Sequence, residues 1–283
     1  MKVLKAKTAG FCFGVRRAVD LVIQQAEKQN GPVYTYGPII HNEQVVSELS
    51  GKGVRVLNSL DELNTLKEGT LIIRSHGVSR REEEIMKQSG LKILDATCPF
   101  VKKIHRIAEE AGRSRKTFLI AGDPDHPEVK GITGWTSGRT EVIRDAEDAA
   151  RIPLAENEHF VLAAQTTFHA GKFQDIVEIL RERGYDDFVM NTVCSATDER
   201  QAEAREIAKT VDDKVVIGGR HSSNTRKLVE ICSESCRNTY FIETLGDLDS
   251  KPFQSFSCVG ITAGASTPNS IIEEVTKHVR SKL

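Results

Sequence analysis

The feature that most constrains this chain is its alternation of short, nearly all-apolar runs with amphipathic helical stretches. The candidate strands are "KVLKAKTA" (2–9), "TLIIRS" (70–75), "LKILDAT" (91–97), "TFLIAG" (117–122), "FVLAAQT" (160–166), "FVMNTV" (188–193), "KVVIGG" (214–219) and "CVGITAG" (258–264). Helical patterns fall at 14–29, 79–89, 99–113, 169–183, 195–209, 222–235 and 268–282. Strands that are apolar on both faces need cover on both faces. The chain therefore predicts an α/β fold with mainly parallel sheets. Pro99, Pro127 and Pro268 each suit a first helical position, where a missing N–H costs nothing.

Length alone, 283 residues, suggests two domains, with one or three also compatible. The cysteines sharpen this. Cys12, Cys98 and Cys194 each end a strand and precede a helix, at separations of 86 and 96 residues, with 89 residues after the last. Three similar α/β units, each offering one strand-end cysteine, are the simplest account. Their boundaries are expected at 13–97, 98–193 and 194–283, with residues 1–12 completing the third sheet or the first.

A formal charge of −1 gives no global attraction to nucleic acid or anionic membrane, so any affinity for anions must be local. The start "MKVLKAKTAG" has no long apolar run, and no segment approaches the ~18 apolar residues of a membrane span. The expectation is a soluble, cytoplasmic chain. Its six cysteines then read as reduced thiols, some of them ligands, rather than as three disulfides.

Ligands of open α/β sheets bind beyond the carboxyl ends of the strands, where helix N-termini present free N–H groups. The segments following the strands hold Cys12, Cys98 and Cys194, with His41, His76, His126 and His221, and a group of hydroxyls and amides. A thiolate at a helix N-terminus is stabilised by the dipole, and three thiolates on a metal or cluster leave one position open for substrate. The alternative is three buried cysteines acting as small hydrophobes, which is the expected role of Cys232, Cys236 and Cys258. The histidines fit either a phosphate or diphosphate pocket or a second metal site. Thr166, Ser222, Ser223, Asn224 and Ser266 favour the anion, being good phosphate partners and poor transition-metal ligands. Glu128, in "HPEV", falls in a helix's first turn. That position suits a capping carboxylate and opposes a raised pKa, which a proton donor needs, whereas a nearby diphosphate would raise it. No nucleotide, NAD or flavin fingerprint is present.

Taken in order, "GFCFGV", "HN", "SHGV", "DATCP", "HPEV", "QTT", "SSN" and "TAGAS" resemble the motifs of the 4-hydroxy-3-methylbut-2-enyl diphosphate reductase family. The resemblance runs from Cys12 to Ser266, nearly the whole chain. It implies three α/β domains in a pseudo-threefold arrangement around a central cavity, and a monomer or weak dimer. It also implies one 4Fe-4S cluster per chain on Cys12, Cys98 and Cys194, with one open iron whose loss would leave a 3Fe-4S cluster. The implied reaction is reductive removal of an allylic hydroxyl, giving isopentenyl and dimethylallyl diphosphate. By the same resemblance His41, His76, His126, Ser222, Ser223, Asn224 and Ser266 hold the diphosphate, Glu128 supplies the proton, and Thr166 relays it. Electrons would come from an external ferredoxin or flavodoxin.

Two positions depart from the family pattern. Asp123 stands where many relatives carry a histidine, and His221 where asparagine is common, placing a cation near the anion site or facing solvent. Two other readings use the same residues: a zinc-dependent lyase or hydrolase on a phosphorylated substrate, and a non-enzymatic iron–sulfur sensor. In "GFCFGV" the two glycines would let the backbone turn around a cluster, and Phe11 and Phe13 would wall it from water, unless they are ordinary core packing.

Overall fold

A computed structural model describes residues 2–28, 30–155, 158–185, 188–249 and 258–281. The final positions of the expected helices 14–29 and 268–282 lie outside these. Among the described residues the strands are β1 (Lys2–Lys5), β2 (Val33–Tyr36), β3 (Val54–Leu57), β4 (Thr70–Ile73), β5 (Lys92–Asp95), β6 (Thr117–Ala121), β7 (Thr140–Ile143), β8 (Phe160–Ala164), β9 (Phe188–Val189), β10 (Asp213–Ile217), β11 (Asn238–Ile242) and β12 (Cys258–Ala263). The helices are α1 (Phe13–Glu27), α2 (Glu43–Gly51), α3 (Arg80–Gln88), α4 (Pro99–Arg113), α5 (Pro127–Thr133), α6 (Ala146–Arg151), α7 (Ala170–Glu182), α8 (Ser195–Ala208), α9 (Ser223–Ser235), α10 (Leu245–Asp249) and α11 (Asn269–Ser281).

The strands build three four-stranded sheets with the orders β3-β2-β4-β5, β7-β6-β8-β9 and β11-β10-β12-β1, and every pairing is parallel. All three follow one plan. The first strand in sequence lies inside, the second outside it, and the third and fourth follow on the other flank. The third sheet takes its fourth strand from the chain's N-terminus, since β1 pairs with β12 from Lys2 opposite Cys258 to Lys5 opposite Ile261. By compactness the chain divides into two units. One is Met1–Arg16, His41–Ser47 and Ser195–Leu283, with the third sheet; the other is Arg17–Ile40 and Glu48–Cys194, with the first two.

The inner strands are apolar on both faces because both are covered. In the second sheet Leu119, Ala121, Leu162 and Ala164 pack on one side with Phe173 and Ile176 of α7. The alternating Phe118, Ile120, Val161 and Ala163 pack on the other with Val101, Ile104 and Ala108 of α4. Helix α4 starts where Pro99 occupies its first turn and Cys98 its cap, and it buries Val101, Ile104, His105, Ala108 and Ala111 at three- and four-residue spacing. Pro268 precedes α11 rather than opening it, although its carbonyl accepts from the Ile272 N–H at 3.4 Å.

One residue of the third core breaks the pattern. Lys214 of β10 is fully buried, and its Nζ has no hydrogen-bond partner among the described residues. Gly260, its register partner on β12, makes the room: a Cβ there would meet Lys214 Cδ at 3.1 Å and Ile207 Cγ2 at 2.8 Å. Burial pushes the Lys214 amine down to about 8. The folded state therefore gives up a proton that the unfolded chain keeps until about 10.5. Stability rises with pH between about 8 and 10.5 and carries the full burial cost below that window, on the order of 3 kcal/mol. Lys214→Met is expected to raise the denaturant midpoint at neutral pH and to flatten the pH dependence above 8. An unchanged midpoint and slope would contradict this reading.

Candidate active site

The three strand-end cysteines occupy equivalent positions. Each follows the outer fourth strand of a sheet and stands immediately before a helix: Cys12 before α1, Cys98 before α4 and Cys194 before α8. Each backbone amide donates to the carbonyl two residues beyond the end of the neighbouring strand. Cys12 N bonds Ala265 O at 3.3 Å after β12, Cys98 N bonds Ser75 O at 2.9 Å after β4, and Cys194 N bonds Thr166 O at 3.0 Å after β8. The cysteine carbonyls of the first two begin the helices, accepting from Arg16 N and Lys102 N at 3.0 Å each. All three thiols are half-buried, and none is in a disulfide. Cys232 and Cys236 differ: both are buried against carbonyls, and burial pushes the Cys232 thiol up to about 11.

In the unit that holds the first two sheets, the loops beyond β4, β6 and β8 bring together His76, His126, Glu128 and Thr166. His126 caps α5, with its Nδ1 accepting from Glu128 N at 3.1 Å, so a neutral ring carries its proton on Nε2 as a donor. The His76 and His126 rings meet edge to face, with centroids 5.4 Å apart. Glu128 is 3% exposed, and its carboxylate accepts from Thr166 N at 2.7 Å and Thr166 Oγ1 at 2.8 Å. Desolvation outweighs those two bonds and lifts the carboxyl to about 7. Because the Thr166 carbonyl holds the Cys194 amide, this acid is one residue removed from a strand-end cysteine.

In the other unit, α9 brings Ser222, Ser223 and Asn224 against the loops after β10 and β12. Ser222 caps α9 by accepting from Thr225 N at 3.3 Å. A Cβ on Gly264 would stand 2.0 Å from Thr225 Oγ1, which shows how closely the helix start meets the "TAGAS" loop. Ser266 Oγ donates to His41 O at 3.1 Å. Asn224 is 4% exposed, yet both polar atoms of its side chain lack a partner among the described residues. A buried amide in that state costs roughly 1–3 kcal/mol, which a bound ligand would recover.

Three structural roles were not assigned from the sequence, although "HN" and "QTT" contain two of the residues. Asn42 caps α2 through Val45 N at 3.1 Å, and the buried Gln165 accepts from Asp123 N at 3.1 Å. Arg200, also buried, donates to Ala263 O at 2.7 Å and Gly10 O at 2.9 Å, pinning the turn before Cys12 to the end of β12. Nothing local in "DERQAE" signals that role. The "GFCFGV" expectations need correction. Phe13 is 66% exposed and walls nothing off, and Gly14 lies within α1. Gly10 does need its freedom, with φ +102° and Asn269 Oδ1 2.6 Å from where a Cβ would stand. His221 faces solvent at 79% exposure, 3.9 Å from Glu43.

These observations define the class: a parallel α/β protein whose strand ends present thiols, imidazoles and a near-neutral carboxyl at helix N-termini. The family model described as LytB protein matches residues 3–280, and the chain belongs to that family. It is an enzyme, an oxidoreductase. It is 43% identical over 282 residues to the 4-hydroxy-3-methylbut-2-enyl diphosphate reductase of Caldanaerobacter subterraneus subsp. tengcongensis, covering 99% of this chain and 97% of that protein. To the Geobacter sulfurreducens enzyme of the same name it is 44% identical over 280 residues, covering 99% and 97%. A solved E-1-hydroxy-2-methyl-but-2-enyl-4-diphosphate reductase from Plasmodium falciparum superposes with a TM-score of 0.92 at 26% identity, covering 98% of this chain and 87% of that one. Among the described residues no helix is long and apolar enough to cross a membrane.

The Thr166 hydroxyl lowers the Glu128 pKa, so Thr166→Val should move the carboxyl titration upward from about 7, as read by isotope-edited infrared or carbon NMR. A midpoint at or below the wild-type value would contradict the assignment. The folded state keeps a proton that the unfolded chain releases near 4.5. Stability should therefore fall as pH rises from about 4.5 through 7, and Glu128→Gln should remove that slope.

Proposed function

We propose that the protein reductively removes the allylic hydroxyl of 4-hydroxy-3-methylbut-2-enyl diphosphate, forming isopentenyl and dimethylallyl diphosphate. The observation that carries this reading is Glu128: a fully enclosed carboxyl lifted to about 7, with the Thr166 hydroxyl on it. Loss of a hydroxyl from carbon needs a proton on the leaving oxygen, and an acid near neutrality is suited to give it. The names of the relatives supply the substrate. Replacing the C–O bond by C–H consumes two electrons and two protons and releases one water. The electrons come from an external donor of the ferredoxin or flavodoxin type.

Cys12, Cys98 and Cys194 would hold a 4Fe-4S cluster. The donor set fits: three thiols outside any disulfide, half-buried, each at a helix start. When bound, such a cluster passes electrons and offers an open iron as a Lewis acid. The chain's own groups do the rest. His41, His76, His126, Ser222, Ser223, Asn224 and Ser266 bind the diphosphate, and the unpartnered Asn224 amide supplies both a donor and an acceptor. The Nε2 proton left on a neutral His126 is one donor to such an anion. Thr166 orients the hydroxyl and relays the proton of Glu128. The functional division follows the three sheets, at 13–97, 98–193 and 194–283, with residues 1–12 joined to the third.

Anaerobically purified protein is expected to carry about four irons and four sulfides per chain. Cys98→Ser should lose both the iron and the turnover. Colourless, zinc-loaded wild type would end the reading. Glu128→Gln should keep measurable substrate binding while turnover drops about 10²–10⁴-fold, and wild-type turnover should decline as pH rises through about 7, where Glu128 loses its proton.

A further inference from the structure

A cavity of about 410 Å³ opens between α4 and β9, the edge strand of the second sheet. Its floor is apolar, with Ile107, Val161 and Met190, and Phe188 stands at its side 58% exposed, one of three large hydrophobics exposed among the described residues. Among the described residues its rim carries Lys103, Arg106 and Lys116 against one acid, Glu110. None of the three cations has an ion-pair partner among the described residues, whereas the adjacent Lys102 is paired with Asp95 at 2.6 Å. The chain as a whole is nearly neutral, at −1, so this local excess is what an anionic partner would feel. Aromatic, methionine and arginine side chains together are the composition of a protein-binding surface.

The walls are the elements that carry two strand-end cysteines. Cys98 caps α4, and at 1.5 Å per residue Lys103 and Arg106 lie on the order of 8 and 12 Å along the helix from it. Cys98 itself packs against the same apolar cluster as Ile107, Val161 and Met190. Met190 stands four residues before Cys194. Ions and small reductants need no such surface, but a protein that delivers electrons must come to rest close to these thiols.

We propose that this groove is the docking surface for an acidic electron-carrier protein, with an acidic rim that meets Lys103, Arg106 and Lys116 and an apolar centre that covers Phe188. The proposal rests on the reductase reading above. Each carrier is oxidised as it leaves, and two electrons enter per hydroxyl lost. The contact is small and transient, as redox encounters are, and charge sets its rate of formation more than its lifetime.

The test uses cluster-loaded enzyme with two electron sources: a reduced flavodoxin, which is acidic, and the small dye methyl viologen reduced by dithionite. In Lys103→Glu/Arg106→Glu the KM for flavodoxin should rise about tenfold or more while viologen-driven kcat and substrate KM stay at wild-type values. Phe188→Ser should raise the flavodoxin KM with little change in its salt dependence. In the wild type, raising ionic strength from about 0.01 to 0.1 M shortens screening from about 30 to 10 Å, and should raise the flavodoxin KM but not the viologen rate. A flavodoxin KM within twofold of wild type in the double variant, or one indifferent to salt in the wild type, overturns the proposal. The salt titration decides even if the double variant misfolds. Wild type that fails with viologen as well would instead refute the reductase reading.

Discussion

The candidate site depends on one repeated backbone contact, the bond from each strand-end cysteine amide to the carbonyl two residues past the neighbouring strand. In a parallel sheet all strands end at one edge, so the chain leaving the outer strand meets the loop leaving its neighbour. That bond stops the cysteine at the start of a helix, where free N–H groups point toward whatever the thiol holds. It also ties each thiol to a loop with chemistry of its own, since Ser75 precedes His76, Thr166 bonds Glu128 and Ala265 precedes Ser266. The repetition follows from topology. Three sheets with the same strand order place their fourth strands alike, even where that strand comes from the far end of the chain.

Magnitudes decide the state of Glu128. A place in the first turn of α5 favours its anion by about 0.3–1 kcal/mol, and two hydrogen bonds from Thr166 favour it further. Complete desolvation works against both and wins, leaving the carboxyl at about 7 rather than 4.5, a net preference for the neutral form on the order of 3 kcal/mol. Reading "HPEV" alone exposes the opposing influences but not their sizes, because burial is set by β8 and its loop some forty residues away.

Most of the strands and the long helices were legible because their signals are local. The stretch 99–113 reads as a helix from its Pro99 start and its apolar spacing, and α4 occupies those residues. The outer strands were harder. β3 ("VRVL"), β7 ("TEVI") and β11 ("NTYFI") are half-exposed and carry polar residues, so they lack the continuous apolar run that marks a doubly covered strand. β2 ("VYTY") is buried throughout, but its threonine and two tyrosines break the apolar run that marks such a strand. The expected strand 188–193 shrinks to Phe188–Val189 because the Thr192 hydroxyl takes over the ladder, accepting from Ala164 N and donating to Ala164 O.

By itself the sequence determined the parallel α/β class, the three cysteines at strand ends, and the hydroxyl, amide and imidazole groups that follow the strands, since each of these is written in residue type and short spacing. Tertiary structure decided the rest. Only pairing across the whole chain assigns β1 to the third sheet. Only packing shows that Asn224 is buried with its amide unmatched and Lys214 enclosed without a hydrogen-bond partner among the described residues, and that Phe13 faces water. Desolvation and strand order are sums over distant neighbours, and neither is stored in any short stretch of the chain.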